Sequence, residues 1–177
     1  MSLALAKQAL RQSEVFINGA FVATASTFPV VSPLTGAEHA RAAQGTAAEA
    51  GAAAEAAAAA FKGWSTLPPA TRAAHLHRLA DELERRKPAT SSVEAFNTGK
   101  PLREAEGDVD DACAALRYCA RQAEHFEQRY PQPVEELPDA QFAGSSTRYE
   151  AVGVVAAICP WNFPLMSEWG GGGEVCV

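Results

Sequence analysis

The chain has 177 residues, 47% of them hydrophobic and 20% charged, with a formal net charge of −6 and a pI near 5.2. That length suits one ordinary domain. The scattered cations exclude a phosphate-tracking basic stripe, and no run reaches the roughly 18 apolar residues of a membrane helix, so neither nucleic acid nor a membrane is an expected partner. Much of the hydrophobic content is alanine, which buries little area, so the large apolar payload per residue is thin.

Residues 1–14 read as an N-terminal arm, too short in apolar core for a secretory signal. Val15 to Val22 alternates about Asn18-Gly19, which predicts a two-residue hairpin. Phe28 to Ser32 predicts a further strand, closed by the turn Pro33-Leu34-Thr35-Gly36. Thr46 and Glu49 form a capping box for a helix that runs through alanines to Phe61 and stops near Gly63. Pro68-Pro69 opens the next helix, with Leu76, Leu79, Ala80 and Leu83 as its apolar stripe.

Pro88 is expected to end or kink that helix, with a second segment reaching Asn97 and Gly99 as its stop. Pro101 starts a third main helix, striped by Val109, Cys113, Leu116, Ala120 and Ala123. Cys113 and Cys119 lie about 240° apart around it and are expected to face different ways. The four cysteines, which include Cys159 and Cys176, show no CxxC and no disulfide spacing. They read as core thiols of a reducing compartment, cytoplasmic or an organelle matrix. Pro131 to Pro138 is a proline-rich acidic linker by composition.

Val152 to Pro164 reads VGVVAAICPWNFP. Its uncharged first half, Val152 to Ile158, predicts a strand buried on both faces of a parallel sheet. Pro160 ends it, and Trp161-Asn162-Phe163-Pro164 forms a stiff turn bearing one carboxamide at the strand's C-terminal end. Such a turn can aim a hydrogen-bond donor at a substrate oxygen. It suits a packed corner equally well, and the residues alone leave both open.

VGVVAAICPWNFPLM resembles the segment of the NAD(P)-dependent aldehyde dehydrogenase superfamily that carries its PWNFP motif. FINGAFV (Phe16 to Val22), VSPLTG (Val31 to Gly36), FKGWS (Phe61 to Ser65), RLADELERR (Arg78 to Arg86) and NTGKPL (Asn97 to Leu102) resemble the family's amino-terminal landmarks, in order. The resemblance covers Val15 to Met166. It implies an α/β fold: an incomplete, Rossmann-like cofactor-binding domain with N-terminal strands, three main helices and an oligomerisation-arm-like segment. That arm maps onto Val134 to Leu137 and Thr147 to Ala151. DVDDACAALRYCARQAE is faintly similar to betaine-aldehyde and aminoaldehyde members.

The resemblance gives Asn162 the role of oxyanion donor and sets Ile158, Cys159, Pro160 and Trp161 along the cofactor, NAD or NADP. Asp108 aligns with a family position that helps hold a monovalent cation, with backbone help near Val31, but the third contributor is missing here and no metal is assigned. After Met166 the pattern departs into the divergent Gly-rich tail, residues 167–177. The family's adenosine contacts, general-base glutamate and nucleophilic cysteine all follow that point. Cofactor binding therefore does not carry over to the 177 residues by resemblance alone.

Rival sites are weaker. His75 and His77 lie about 200° apart on one helix and cannot share a metal. Gly170 to Gly173 lacks a phosphate-loop pattern and a following helix. Cys176 has only glycines, valines and the disfavouring charge of Glu174 near it, so it is no substitute nucleophile. The expectation is a truncated family member, inactive alone, whose parent reaction oxidises an aldehyde substrate to a carboxylic acid with NAD(P)+. Two alternatives stand beside it: a non-catalytic protein that joins full-length subunits as a homo- or hetero-oligomer, and a mis-spliced product with no role, whose lone apolar strand would aggregate.

Overall fold

A computed structural model describes residues 14–126 and 149–168. The arm before Glu14, the Pro131–Pro138 linker, the Val134–Leu137 stretch, the first residues of Thr147–Ala151, and the tail from Trp169 onward with Cys176 lie outside them. Among the described residues, two antiparallel hairpins lead into four helices. Strand β1 (Glu14–Ile17) pairs with β2 (Ala20–Ala23), with Phe16 opposite Phe21. The connecting Asn18 and Gly19 both have positive φ, 50° and 77°, as a tight mirror-image turn demands.

The predicted strand at Phe28 is β3 (Ser26–Val31), and its partner β4 (Glu38–Gln44) was not legible. EHARAAQ lacks the alternation and β-branched residues that mark a strand. The hairpin holds it in place instead. The Ser32 Oγ accepts from the backbone N–H of Leu34 and Thr35, both at 3.3 Å, and its own N–H donates to the Ala37 carbonyl at 2.9 Å. Arg41 of β4 then reaches across to donate to Thr27 Oγ1 at 2.9 Å.

Helix α1 (Ala47–Ser65) begins with the expected capping box. The Thr46 Oγ1 accepts from Ala48 N–H, and Thr46 N–H donates to Glu49 Oε2 at 2.7 Å. It does not stop at Gly63 but runs two residues further, where Thr66 Oγ1 closes the end by donating to the Lys62 and Gly63 carbonyls. No residue of α1 is buried, so propensity and capping hold this helix more than packing does.

The core lies between α2 (Pro69–Arg85) and α4 (Leu102–Glu124). Leu76, Ala80 and Leu83 of the predicted stripe are buried and Leu79 packs at its edge; Ala73 extends it. All five predicted residues of α4 are buried, as are Ala112 and Cys119. Cys113 and Cys119 therefore share one core, contrary to the expected divergence. A helix packed against both α2 and α3 (Lys87–Thr98) buries more than one narrow stripe. Of the two outcomes expected at Pro88, an end or a kink, the helix ends: α2 stops at Arg85 and the second segment forms the separate α3 up to Thr98.

Two contacts bring the hairpins onto this bundle. The His39 and Phe96 rings meet at 4.4 Å between centroids, and Gly99 lies directly against Pro33. Gly99 caps α3 in the left-handed conformation, φ 78°, and a Cβ there would fall 2.7 Å from Pro33 Cγ. Backbone conformation and lack of space both require glycine.

The expected buried strand departs furthest from the reading. Val152 to Ile158 joins no ladder, Gly153 within it has a positive φ of 98°, and the run is largely exposed: Val152 by 85% and Ile158 by 97%. Cys159 is exposed with it, so it is not a core thiol. A parallel strand is buried only between neighbouring strands and covering helices. The strands among the described residues pair with each other in hairpins and leave none for this segment.

Gly99→Ala is expected to lower the unfolding free energy by more than about 1 kcal/mol in urea titrations, from the αL conformation and the Pro33 clash together. Leu116→Ala, which empties the centre of the α2–α4 interface, is expected to cost about 3 kcal/mol in the same measurement.

Candidate active site

The candidate site is built at the C-terminal end of the exposed segment. Residues 151–160 form neither helix nor ladder, residues 161–163 turn, and 164–168 form a helical turn. Pro164 stands at its first position, where no backbone donor is needed. Ser167 N–H closes the turn on the Phe163 carbonyl at 3.0 Å. Asn162 lies inside the bend with its side chain exposed. Ile158, Cys159, Pro160 and Trp161 form a continuous exposed strip leading to it, with Trp161 85% accessible.

Residues just after Asn162 fasten this bend to the helical body. Leu165 packs against the α2–α4 core. Phe163 lies beneath the ammonium of Lys100, 4.4 Å from Nζ to the ring centroid, within the range of a cation–π contact. Lys100 sits between α3 and α4 and takes one carboxylate from each. Its Nζ donates to Glu94 Oε1 at 3.1 Å and to Asp108 Oδ2 at 2.5 Å. Glu94 and Asp108 are buried, and the lysine side chain is only 14% exposed.

Burial works against the ammonium's charge. The ammonium's hydrogen bonds to the Asp108 and Glu94 carboxylates, with their negative charge, outweigh it, and the Lys100 pKa lies above the usual lysine value. The buried carboxylates in turn depend on this one cation. Asp108, aligned with a cation-holding position of the resembled family, thus receives the chain's own ammonium. Val31 is a half-exposed residue of β3. Among the described residues no group of three or more His, Cys, Asp or Glu side chains could hold a metal ion.

The two helix histidines take separate partners. His75 meets Trp64 at 5.5 Å and the Arg78 guanidinium at 2.7 Å, while His77 faces Glu124 at 3.5 Å. Sequence reasoning placed Asn162 and its strip but missed Lys100 and Glu94. A signal was present: a lysine between a glycine helix stop and a proline helix start, with acids six residues before and eight after it. Reading that signal required knowing that α3 and α4 turn back on each other.

The chain as a whole is similar to known proteins. The profile described as "Aldehyde dehydrogenase family" matches residues 21–169. Aminoaldehyde dehydrogenase 2 of Zea mays is 36% identical over 170 residues, which are 92% of this chain and 33% of the maize protein. Betaine aldehyde dehydrogenase 1 of Oryza sativa subsp. japonica is 34% identical over 172 residues, 93% of this chain and 34% of its own length. The crystal structure of betaine aldehyde dehydrogenase from Staphylococcus aureus in complex with NAD+ superposes with a TM-score of 0.79 at 26% identity, covering 97% of this chain and 34% of that one. The chain spans about a third of the length of these relatives.

The lysine cluster predicts a pH dependence. A lysine pKa raised by folding adds stability that is complete below the unfolded value, about 10.4, and is lost as pH rises through the folded value. The Tm of the native chain is expected to fall more steeply above about pH 10 than that of Lys100→Arg, whose guanidinium stays charged. Lys87, also raised through Asp110, titrates in both proteins and cancels in the comparison.

Proposed function

The chain belongs to the aldehyde dehydrogenase family, and from that membership we propose that it carries the oxyanion side of an NAD(P)+-dependent aldehyde oxidation. One observation carries the reading: Asn162 presents an exposed carboxamide on a bend whose next residues are anchored to the helical core. The carboxamide N–H donates to the aldehyde oxygen as negative charge gathers on it during attack by a thiolate. A fixed donor loses little to reorganisation at that moment, which is why one such group is worth about 3 kcal/mol in a complete site.

Ile158, Cys159, Pro160 and Trp161 form the wall on the cofactor side. The strip fits that role in part: it is uncharged and accessible along its length, and leads directly into Asn162. It provides no cationic side chain for a phosphate. NAD(P)+, when bound, supplies the hydride acceptor. The strip shields one side of the reacting carbon from water, while Asn162 holds the oxygen.

The nucleophile and the general base belong, in the family, to sequence that follows the segment matched by Met166. On this reading residues 15–166 hold the oxyanion side but neither nucleophile nor base, and turn over no aldehyde by themselves. The purified chain with a panel of aldehydes, betaine aldehyde and aminoaldehydes included, is expected to form no NADH or NADPH above a protein-free control; sustained formation refutes this. Joined to the remainder of a family enzyme in place of the corresponding segment, residues 15–166 are expected to restore turnover. In that chimera Asn162→Ala should lower kcat by about 10²–10³-fold with a smaller change in KM.

A second reading, a non-catalytic partner of full-length dehydrogenase subunits, is favoured by the exposed Val152–Ile158 run. An apolar segment with open backbone groups pairs with another strand if one is offered. Cross-linking of the purified chain to an intact family enzyme supports that reading, and its absence at micromolar concentrations removes it.

A further inference from the structure

The bend that bears Asn162 is fastened closely on its downstream side; upstream, a contact to the helical body lies twelve residues before Trp161, where Tyr149 meets Phe126 at 5.9 Å. Upstream, Ile158 and Trp161 are almost fully exposed and no ladder holds the backbone. Downstream, Leu165 meets the core and Phe163 lies under Lys100. Leu165 fixes the helical turn that follows the bend. Within the bend itself it is the Phe163 ring that meets the helical body, under the ammonium of Lys100.

We propose that Lys100 is a positioning residue for Asn162: clamped by Glu94 and Asp108, its ammonium grips the Phe163 ring and so fixes the bend that aims the carboxamide. The inference rests on the reading of Asn162 as oxyanion donor. The clamp has the necessary stiffness. Lys100 follows directly on the αL cap of α3 at Gly99 and precedes the start of α4 at Leu102. Its head is held at 3.1 Å and 2.5 Å by carboxylates from those two helices. A lysine free in solvent samples many rotamers and grips nothing; this one has its head fixed at two points. The ammonium's remaining face then meets the negative face of the ring, an attraction strengthened by the loss of water around a buried cation. The chain of contact runs from helix pair to lysine to ring to bend.

The test uses the full chain with Trp64→Phe and Trp169→Phe, so that Trp161, the neighbour of Asn162, is the only tryptophan. Its fluorescence anisotropy reports motion of the bend on the nanosecond scale. Phe163→Leu keeps an apolar side chain and the ion cluster intact. It is expected to lose roughly half of the anisotropy difference between the folded and urea-unfolded chain. Lys100→Met alone strands two buried carboxylates and threatens folding, so the cation is removed in the neutralised variant Lys100→Met/Glu94→Gln/Asp108→Asn. That variant should show the same loss, and adding Phe163→Leu to it should cause no further loss, because both changes break one contact. Lys100→Arg, which keeps a cation between the carboxylates and over the ring, should retain the original value.

The clamp is overturned if Phe163→Leu leaves Trp161 unchanged. It is equally overturned if the neutralised variant lowers Tm while the anisotropy stays put, since Lys100 would then merely join two helices. No aldehyde or cofactor enters this measurement. Failure of Asn162 as an oxyanion donor, read by kcat of the chimera, therefore remains distinct from failure of the clamp.

Discussion

The close approach of α2 and α4 is the constraint on which the rest of the structure depends. Ala73 and Ala80 on one helix and Ala112, Ala120 and Ala123 on the other are buried, with Val109, Leu116 and Leu76 filling the space between them. Small residues let the helix axes come together, and the few larger ones supply most of the area removed from water. Charged contacts at the edge fix the register. Arg117 of α4 donates to Asp81 at 2.9 Å and Glu84 at 2.6 Å on α2, and Lys87 at the start of α3 meets Asp110 of α4 at 2.6 Å. These exposed pairs add little energy, but they disfavour a slipped helix. A fixed α4 places Asp108, a fixed α3 places Glu94, and together they place Lys100.

The bend is thus joined to the helical body by the packing of Leu165 and by the contact of Phe163 with Lys100 rather than by a sheet among the described residues. This differs from the usual economy of α/β folds, in which a ligand lies beyond the carboxyl ends of paired strands. Here Val152–Ile158 has the composition of such a strand but no neighbours among the described residues. Its backbone groups are left to solvent and its valines to water, a combination that invites pairing with another chain. The same exposure that weakens the segment as an isolated piece keeps Asn162 and the strip before it accessible.

Family membership and activity are separate matters for this chain. The match extends over residues 21–169 and the fold agreement over nearly the whole chain, yet both cover about a third of the relatives' length. A carboxamide lowers a barrier only where charge develops beside it, and that charge is created by a nucleophile. On the proposed reading, the worth of Asn162 depends on a nucleophile set beside it.

Local chemistry was legible in the sequence wherever it was decided by adjacent residues. Asn18-Gly19 made a hairpin, Thr46 and Glu49 a helix start, Gly99 a helix stop, and the apolar spacing of α2 and α4 their buried faces, because each follows from steric preference, short-range hydrogen bonding or helical period. The Asn162 bend was visible in the same way, between two prolines. Only the tertiary structure decided that EHARAAQ is a strand, that Cys113 and Cys119 share a core, that Val152–Ile158 lies open, and that Lys100 joins Glu94 and Asp108 to Phe163. Strand pairing and burial depend on which neighbours arrive, and an ion cluster depends on how two helices turn back on each other. Those are distances through space that no spacing along the chain encodes.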